Sequence, residues 1–131
     1  MTTVSRDKIK IRGKKRLINS FKYAFQGLKY AFEYEQNILV HFLATVLVIA
    51  LGIIFKISSV EWLVVFLIIG LVIATELINT SIEATIDLIT NETNPLAKIA
   101  KDTAAAAVLV FGITALAIAI VIFVPKIILL F

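Results

Sequence analysis

Cysteine is absent from the 131 residues. Its absence excludes disulfide staples, thiolate metal sites and a cysteine nucleophile, and leaves the redox compartment undetermined. Histidine occurs once, at His41, and without a His or Cys companion it reads as a hydrogen-bonded residue rather than a metal ligand. There is no Walker loop and no Gly-rich phosphate loop, no internal repeat and no low-complexity linker. Charge is scarce as well. Only 17% of residues are Asp, Glu, Lys or Arg, against 60% hydrophobic and a mean hydropathy of +1.00. A soluble domain of this length could not cover so much apolar surface, so a bilayer must act as solvent for much of it. The length suits one small domain without a separate soluble catalytic module.

The charges that do occur are unevenly placed. Seven of the thirteen Lys and Arg residues lie in the first sixteen positions: Arg6, Lys8, Lys10, Arg12, Lys14, Lys15 and Arg16. Beside long apolar runs, such a tail reads as attraction to anionic lipid and as a topology signal rather than as a nucleic-acid site. No signal peptide is legible, because the first apolar run follows about 37 residues of charged, amphipathic sequence.

Residues 1–13 read as a basic flexible tail. Across residues 14–35, Leu17, Ile18, Phe21, Phe25, Leu28 and Phe32 recur every three or four positions. Lys15, Asn19, Lys22, Gln26, Lys29 and Glu33 take the other side, the pattern of an amphipathic helix in the membrane interface. A soluble helix packed on a partner would show the same periodicity. Tyr23, Tyr30 and Tyr34 fit there as interfacial anchors.

Three spans follow. The first is placed at 38–56, its apolar run from Ile38 to Phe55 interrupted only by His41 and Thr45. A short turn leads to Ser58 and Glu61, spaced as a capping box, with Trp62 as an interfacial anchor. The second span, 61–89, is apolar to Ala74 and then polar on one side. Asn94 as N-cap and Pro95 at the first helical position open the third, 95–125, which Pro125 and Lys126 are expected to end. Its Ala104–Ala107 run suits close helix packing. The fold class is therefore all-α and integral to the membrane, one surface helix plus three transmembrane helices. Most Lys and Arg lie in the amino-terminal arm and the loop between the second and third spans, which places both in the cytoplasm and the carboxyl terminus outside.

Glu76, Asn79, Glu83 and Asp87 are separated by three, four and four residues. At about 100° per residue they fall within roughly 80° of arc and make one stripe on one helix face. Counted from Glu61, Glu76 lies about 22 Å into the bilayer and Glu83 about 10 Å further on, near the water boundary. Glu35, Lys101 and Asp102 reach that same level. A carboxylate inside a span is expensive and by default a functional hypothesis. Carboxylates holding Mg²⁺, a lysine on phosphate and a carboxylate that takes a hydroxyl proton would suit phosphoryl transfer from ATP to a lipid alcohol. The same stripe suits polar groups that glue helices or stabilise an oligomer. A non-enzymatic membrane protein, such as an ion-conducting oligomer or an assembly factor, therefore stands beside the kinase reading.

The segments ATELINTSIEATIDLI (74–89) and NPLAKIAKDTAAAAV (94–108) resemble the prokaryotic diacylglycerol kinase family, and the resemblance runs from Arg16 to about Val124. It implies a small homotrimeric membrane kinase of the bacterial plasma membrane that uses ATP, Mg²⁺ and a lipid alcohol, with no nucleic-acid partner. Because three helices are too few to enclose ATP and a lipid headgroup, the site is expected between protomers. The resemblance makes Glu76 the general base and Glu35 with Glu83 the Mg²⁺ and ATP ligands. Asn79 would orient the reacting groups, and Lys101 and Asp102 would contact the nucleotide. Arg16 and Tyr23 match positions near the bound ATP, and Glu92 and Asn94 occupy the matching loop. In that loop Thr93 and Asn94 stand where the enterobacterial pattern has tyrosine and histidine. SSVEWLVVFLIIG (58–70) and DLITNETNPLAKIAKD (87–102) are more similar to the Gram-positive branch, whose members phosphorylate undecaprenol, which favours that substrate over diacylglycerol.

Overall fold

The computed structural model describes residues 13–90 and 92–130. Arg6, Lys8, Lys10 and Arg12 of the basic tail, and Asn91 of the second loop, lie outside the described residues. Four helices and no strand make up the described residues: α1 (Lys14–Tyr34), α2 (Gln36–Ile54), α3 (Ser59–Ile89) and α4 (Pro95–Ile128).

The chain divides into two compact units, residues 1–34 and 35–131. In the first, α1 carries exposed Leu17, Ile18, Phe21 and Phe25. A Lys29–Glu33 pair one turn apart (3.5 Å) and a Tyr30–Tyr34 ring contact at 4.8 Å lie along it, both at the spacing at which helical side chains meet.

In the second unit, α2, α3 and α4 are each long and apolar enough to cross a membrane. Of their most apolar stretches, 28% of α3 is buried but only 11% of α2 and of α4, so α3 is the central helix and the others pack on it. The remaining apolar surface needs lipid or another chain as its solvent. The Ala104–Ala107 run is not a packing surface within the chain, since Ala105, Ala106 and Ala107 are exposed.

The turn between α2 and α3 explains how the hairpin closes. Lys56 adopts a left-handed φ of 49°. The Ile57 amide donates to the Gly52 carbonyl (3.1 Å) and the Lys56 amide to Ile53 (3.2 Å), the two bonds of a Schellman ending. The Ser58 amide donates to Glu61 Oε2 (2.6 Å) and the Glu61 amide to Ser58 Oγ (3.3 Å), so the capping box is present. The turn folds over a core of Ile57, Val65, Ile122 and Phe123, joined by Phe55 and Trp62. Trp62 is thus more than an interfacial anchor. It stacks on Phe66 at 5.2 Å, and its ring edge would lie 2.7 Å from any Cβ added at Gly52.

Helix boundaries differ from the sequence expectation in instructive ways. Glu35 is not the last residue of the first helix but the N-cap of α2, which starts at Gln36 and ends at Ile54. α3 starts at Ser59, two residues before Glu61. Pro125 does not stop α4, which continues to Ile128. Proline lacks an N–H and its ring crowds the preceding turn, but its carbonyl still accepts from the Leu129 amide (3.2 Å). Lys126 in that last turn pairs with Glu61 at 2.9 Å, which holds the end of α4 against the start of α3.

Candidate active site

The buried face of α3 comprises Val65, Ile68, Val72, Glu76 and Asn79. Their spacing of three and four residues puts them on one stripe, and Glu83 and Asp87 continue it within about 100° of arc. The helix therefore packs with a single face that is apolar for its first half and polar for its second. Glu76 is the deepest acid, 1% exposed, and Asn79 is 7% exposed. Two threonines satisfy their own hydroxyls on the helix backbone: Thr80 Oγ1 donates to the Glu76 carbonyl (3.1 Å), and Thr75 Oγ1 to that of Leu71 (2.8 Å).

The side chains of the stripe are only partly satisfied. Asn79 Nδ2 donates to Glu83 Oε1 (3.0 Å), fixing the half-buried Glu83 carboxylate one turn on. Glu76 Oε2 and Asn79 Oδ1 find no hydrogen-bond partner among the described residues. A buried polar atom without a partner costs on the order of 1–3 kcal/mol, and more if charged. Buried polar groups are normally paired, so two orphaned acceptors one turn apart call for donors from outside this chain, from a bound ligand or another protomer.

Beyond the stripe, α4 begins as its sequence requires. Asn94 Oδ1 accepts from the Leu96 amide (2.8 Å) and the Ala97 amide (3.4 Å), with Pro95 at the first helical position. Two ion pairs lie side by side there: Lys98 with Asp102 along α4, and Lys101 with Asp87 across to α3. Asp87, Glu92, Asn94, Lys101 and Asp102 line one open groove of about 740 Å³ between the α3 end and the α4 start.

The expected site residues thus fall into four places. Glu76, Asn79 and Glu83 share the α3 stripe; Glu92, Asn94, Lys101 and Asp102 share the groove; Glu35 caps α2, half-buried, its side chain making no cap hydrogen bond. Arg16 and Tyr23 are exposed on α1. His41 lines a separate, mostly apolar cavity of about 270 Å³ with Thr45 and Val72, and its carbonyl accepts from Thr45 Oγ1 (2.8 Å). Sequence reasoning singled out Asp87, Lys101 and Asp102 but anticipated neither ion pair. Lys98 and Asp102 were legible as an i,i+4 pair, whereas the Asp87–Lys101 pair depends on the angle between two helices and leaves no local signal.

Carboxylates are the ligand type that hard divalent cations prefer. Among the described residues no three His, Asp or Glu groups converge, but Glu35 and Glu83 each offer carboxylate oxygens. Mg²⁺ is commonly held by one or two carboxylates together with substrate phosphates.

Residues 22–123 match the family described as prokaryotic diacylglycerol kinase. The undecaprenol kinase of Bacillus subtilis is 42% identical over 111 residues, covering 85% of this chain and 90% of that protein. A diacylglycerol kinase of Synechocystis is 39% identical over 100 residues, 76% of this chain and 57% of that protein. The diacylglycerol kinase of Pseudomonas aeruginosa is 34% identical over 95 residues, 72% of this chain and 77% of that protein. With the acidic stripe, the Asn94 cap, Lys101 and Asp102 all inside the matched segment, the chain belongs to the prokaryotic diacylglycerol kinase family.

Proposed function

We propose that this lipid kinase transfers the γ-phosphoryl group of ATP to undecaprenol at the cytoplasmic face of the membrane, with diacylglycerol as the alternative acceptor. The observation that carries the reading is Glu76: a carboxylate 1% exposed, inside an apolar helix, with one oxygen unpartnered among the described residues. The lipid hydroxyl donates to that oxygen, and its oxygen attacks the γ-phosphorus. The new P–O bond forms as the bond to the β-phosphate oxygen breaks, the proton passes to Glu76, and ADP leaves. Asn79 holds Glu83 through Nδ2 and keeps Oδ1 for orienting the reacting groups. Lys101 meets phosphate charge, and Asp102, Glu92 and Asn94 contact the rest of the nucleotide. Glu35 and Glu83 would hold Mg²⁺, which when bound neutralises charge on the transferred phosphoryl group.

A homotrimer is part of the proposal, because so much apolar surface on α2 and α4 is left uncovered within one chain. The topology proposed is a cytoplasmic amino terminus and second loop with an external carboxyl terminus. The preference for undecaprenol rests on the higher identity and fuller coverage with an undecaprenol kinase than with the diacylglycerol kinases. It is tested by offering both lipids together, in one vesicle preparation with Mg-ATP and purified protein. Undecaprenyl phosphate should be the main product. Phosphatidic acid as the main product would reverse the substrate order, and no phosphorylated lipid at all would remove the kinase reading.

A further inference from the structure

The Asp87–Lys101 pair is the feature of the groove that the kinase reading leaves without a role. It joins the last turn of α3 to the second turn of α4 across a separation of fourteen residues. It is the tertiary ion pair of this end, whereas the neighbouring Lys98–Asp102 pair lies within α4. Both partners line the same open groove, and Asp87 is the fourth member of the stripe that begins at Glu76.

From this geometry we infer that Asp87 is a positioning residue, which presets the Lys101 ammonium for the nucleotide's phosphates. The inference rests on the kinase reading and assigns a function to a carboxylate that reading does not use. An ammonium has three donors and no acceptor. Asp87 Oδ1 takes one and leaves two, so the pairing aims Lys101 without consuming it. Lysine is a flexible point charge with large rotamer freedom. Unheld, Lys101 would lose that freedom only when nucleotide binds, and the affinity would drop accordingly. Asp87 also has an opposing effect, since its charge near a triphosphate is repulsive. The sign of the mutant effect therefore decides between positioning and repulsion. A partly exposed ion pair contributes little to stability, so positioning predicts a functional loss without a matching loss of fold.

The experiment measures Mg-ATP affinity of the purified, membrane-reconstituted protein by titration calorimetry in the absence of lipid alcohol, together with the thermal midpoint. Asp87→Asn should weaken nucleotide binding about 3- to 10-fold with the midpoint unchanged. Asp87→Glu, which can still accept from the ammonium, should recover most of that loss. On a Lys101→Met background, Asp87→Asn should have no further effect, because the two residues act through one contact. Unchanged or tighter binding by Asp87→Asn overturns the inference. So does a loss of the same size on the Lys101→Met background, or a lowered midpoint in Asp87→Asn that Asp87→Glu restores without restoring affinity. Wild-type protein that binds no Mg-ATP would instead overturn the kinase site itself, which separates the two failures.

Discussion

One face of α3 runs through the whole bundle, and its two halves solve the problem of burial in opposite ways. Around Val65 the face is apolar, covered by Ile57, Ile122 and Phe123. The polar groups at that end pair with one another: Ser58 and Glu61 cap each other, and Lys126 closes on Glu61. Around Glu76 the same face buries acceptors that find no partner among the described residues, and it opens beyond Asp87 into a groove. The first half spends its sequence on stability. The second carries unsatisfied acceptors whose donors must come from outside this chain, from a ligand or from another protomer.

The largest test of that contrast is Glu76→Gln. The amide keeps the size of the side chain and its hydrogen bonding but cannot accept a proton. Phosphorylation should fall by about 10² or more, while oligomer assembly and nucleotide binding persist. Were the polar half mere helix glue, glutamine would be tolerated in catalysis and any loss would appear as failed assembly. Near wild-type turnover by a correctly assembled Glu76→Gln protein would strip Glu76 of its role as base.

A second test probes the metal. If Glu35 and Glu83 share Mg²⁺, Glu83→Gln and Glu35→Gln each replace one of two carboxylates by a neutral, weaker amide oxygen, so the Mg²⁺ concentration for half-maximal activity should rise about tenfold in each. Because Asn79 Nδ2 donates to Glu83 Oε1, the amide at 83 also risks turning a donor toward a donor. The Glu83 variant should therefore be hit harder than the Glu35 variant. Unaltered Mg²⁺ dependence in both, at full activity, would take the pair out of the site.

At the other end, Gly52→Ala should unfold rather than inactivate. An added Cβ would sit 2.7 Å from Trp62 Cη2 and 3.1 Å from Ile57 Cδ1, and Trp62 is held in turn by its stack on Phe66. Overpacking of this kind costs about 1–3 kcal/mol. The thermal midpoint should drop while turnover per folded molecule, at a temperature where the protein remains assembled, stays at the wild-type level. A loss of turnover without a loss of stability would blur the division between the two ends.

These two halves were not equally legible in the sequence. The three spans, the capping box at Ser58 and Glu61, and the Asn94–Pro95 start all follow from local rules, since hydropathy and caps act within a few residues. The polar stripe was legible too, because helical periodicity fixes which residues share a face. Which face is buried was not, and neither was the packing of Trp62 against Gly52 or the pairing of Asp87 with Lys101. Each depends on how two helices meet. The end of α4 was misplaced at Pro125, because the proline carbonyl still accepts from Leu129 and the helix runs on to Ile128. The chemistry assigned to Glu35 and Glu83 came from resemblance, because two separated carboxylates announce no metal by spacing alone.

The smallest expected effect sharpens the stability side of the contrast. Lys56 closes the Schellman ending of α2 with a φ of 49°, a region that costs an L-residue on the order of 1–2 kcal/mol relative to glycine. Lys56→Gly removes that cost but gives the unfolded chain more freedom, which takes back part of the gain. The net result should be a stabilisation of about 0.5 kcal/mol, read as a rise of a few degrees in the thermal midpoint. Lys56→Ala separates backbone from charge. It keeps a Cβ in the left-handed region and removes only the ammonium, so its midpoint should stay at the wild-type value. Neither variant should move turnover, because Lys56 lies at the far end of α3 from Glu76. If Lys56→Ala gained as much as Lys56→Gly, the benefit would belong to the lost charge and not to the backbone. A drop in turnover for the glycine variant would mean instead that the closed end transmits its packing to the site along α3.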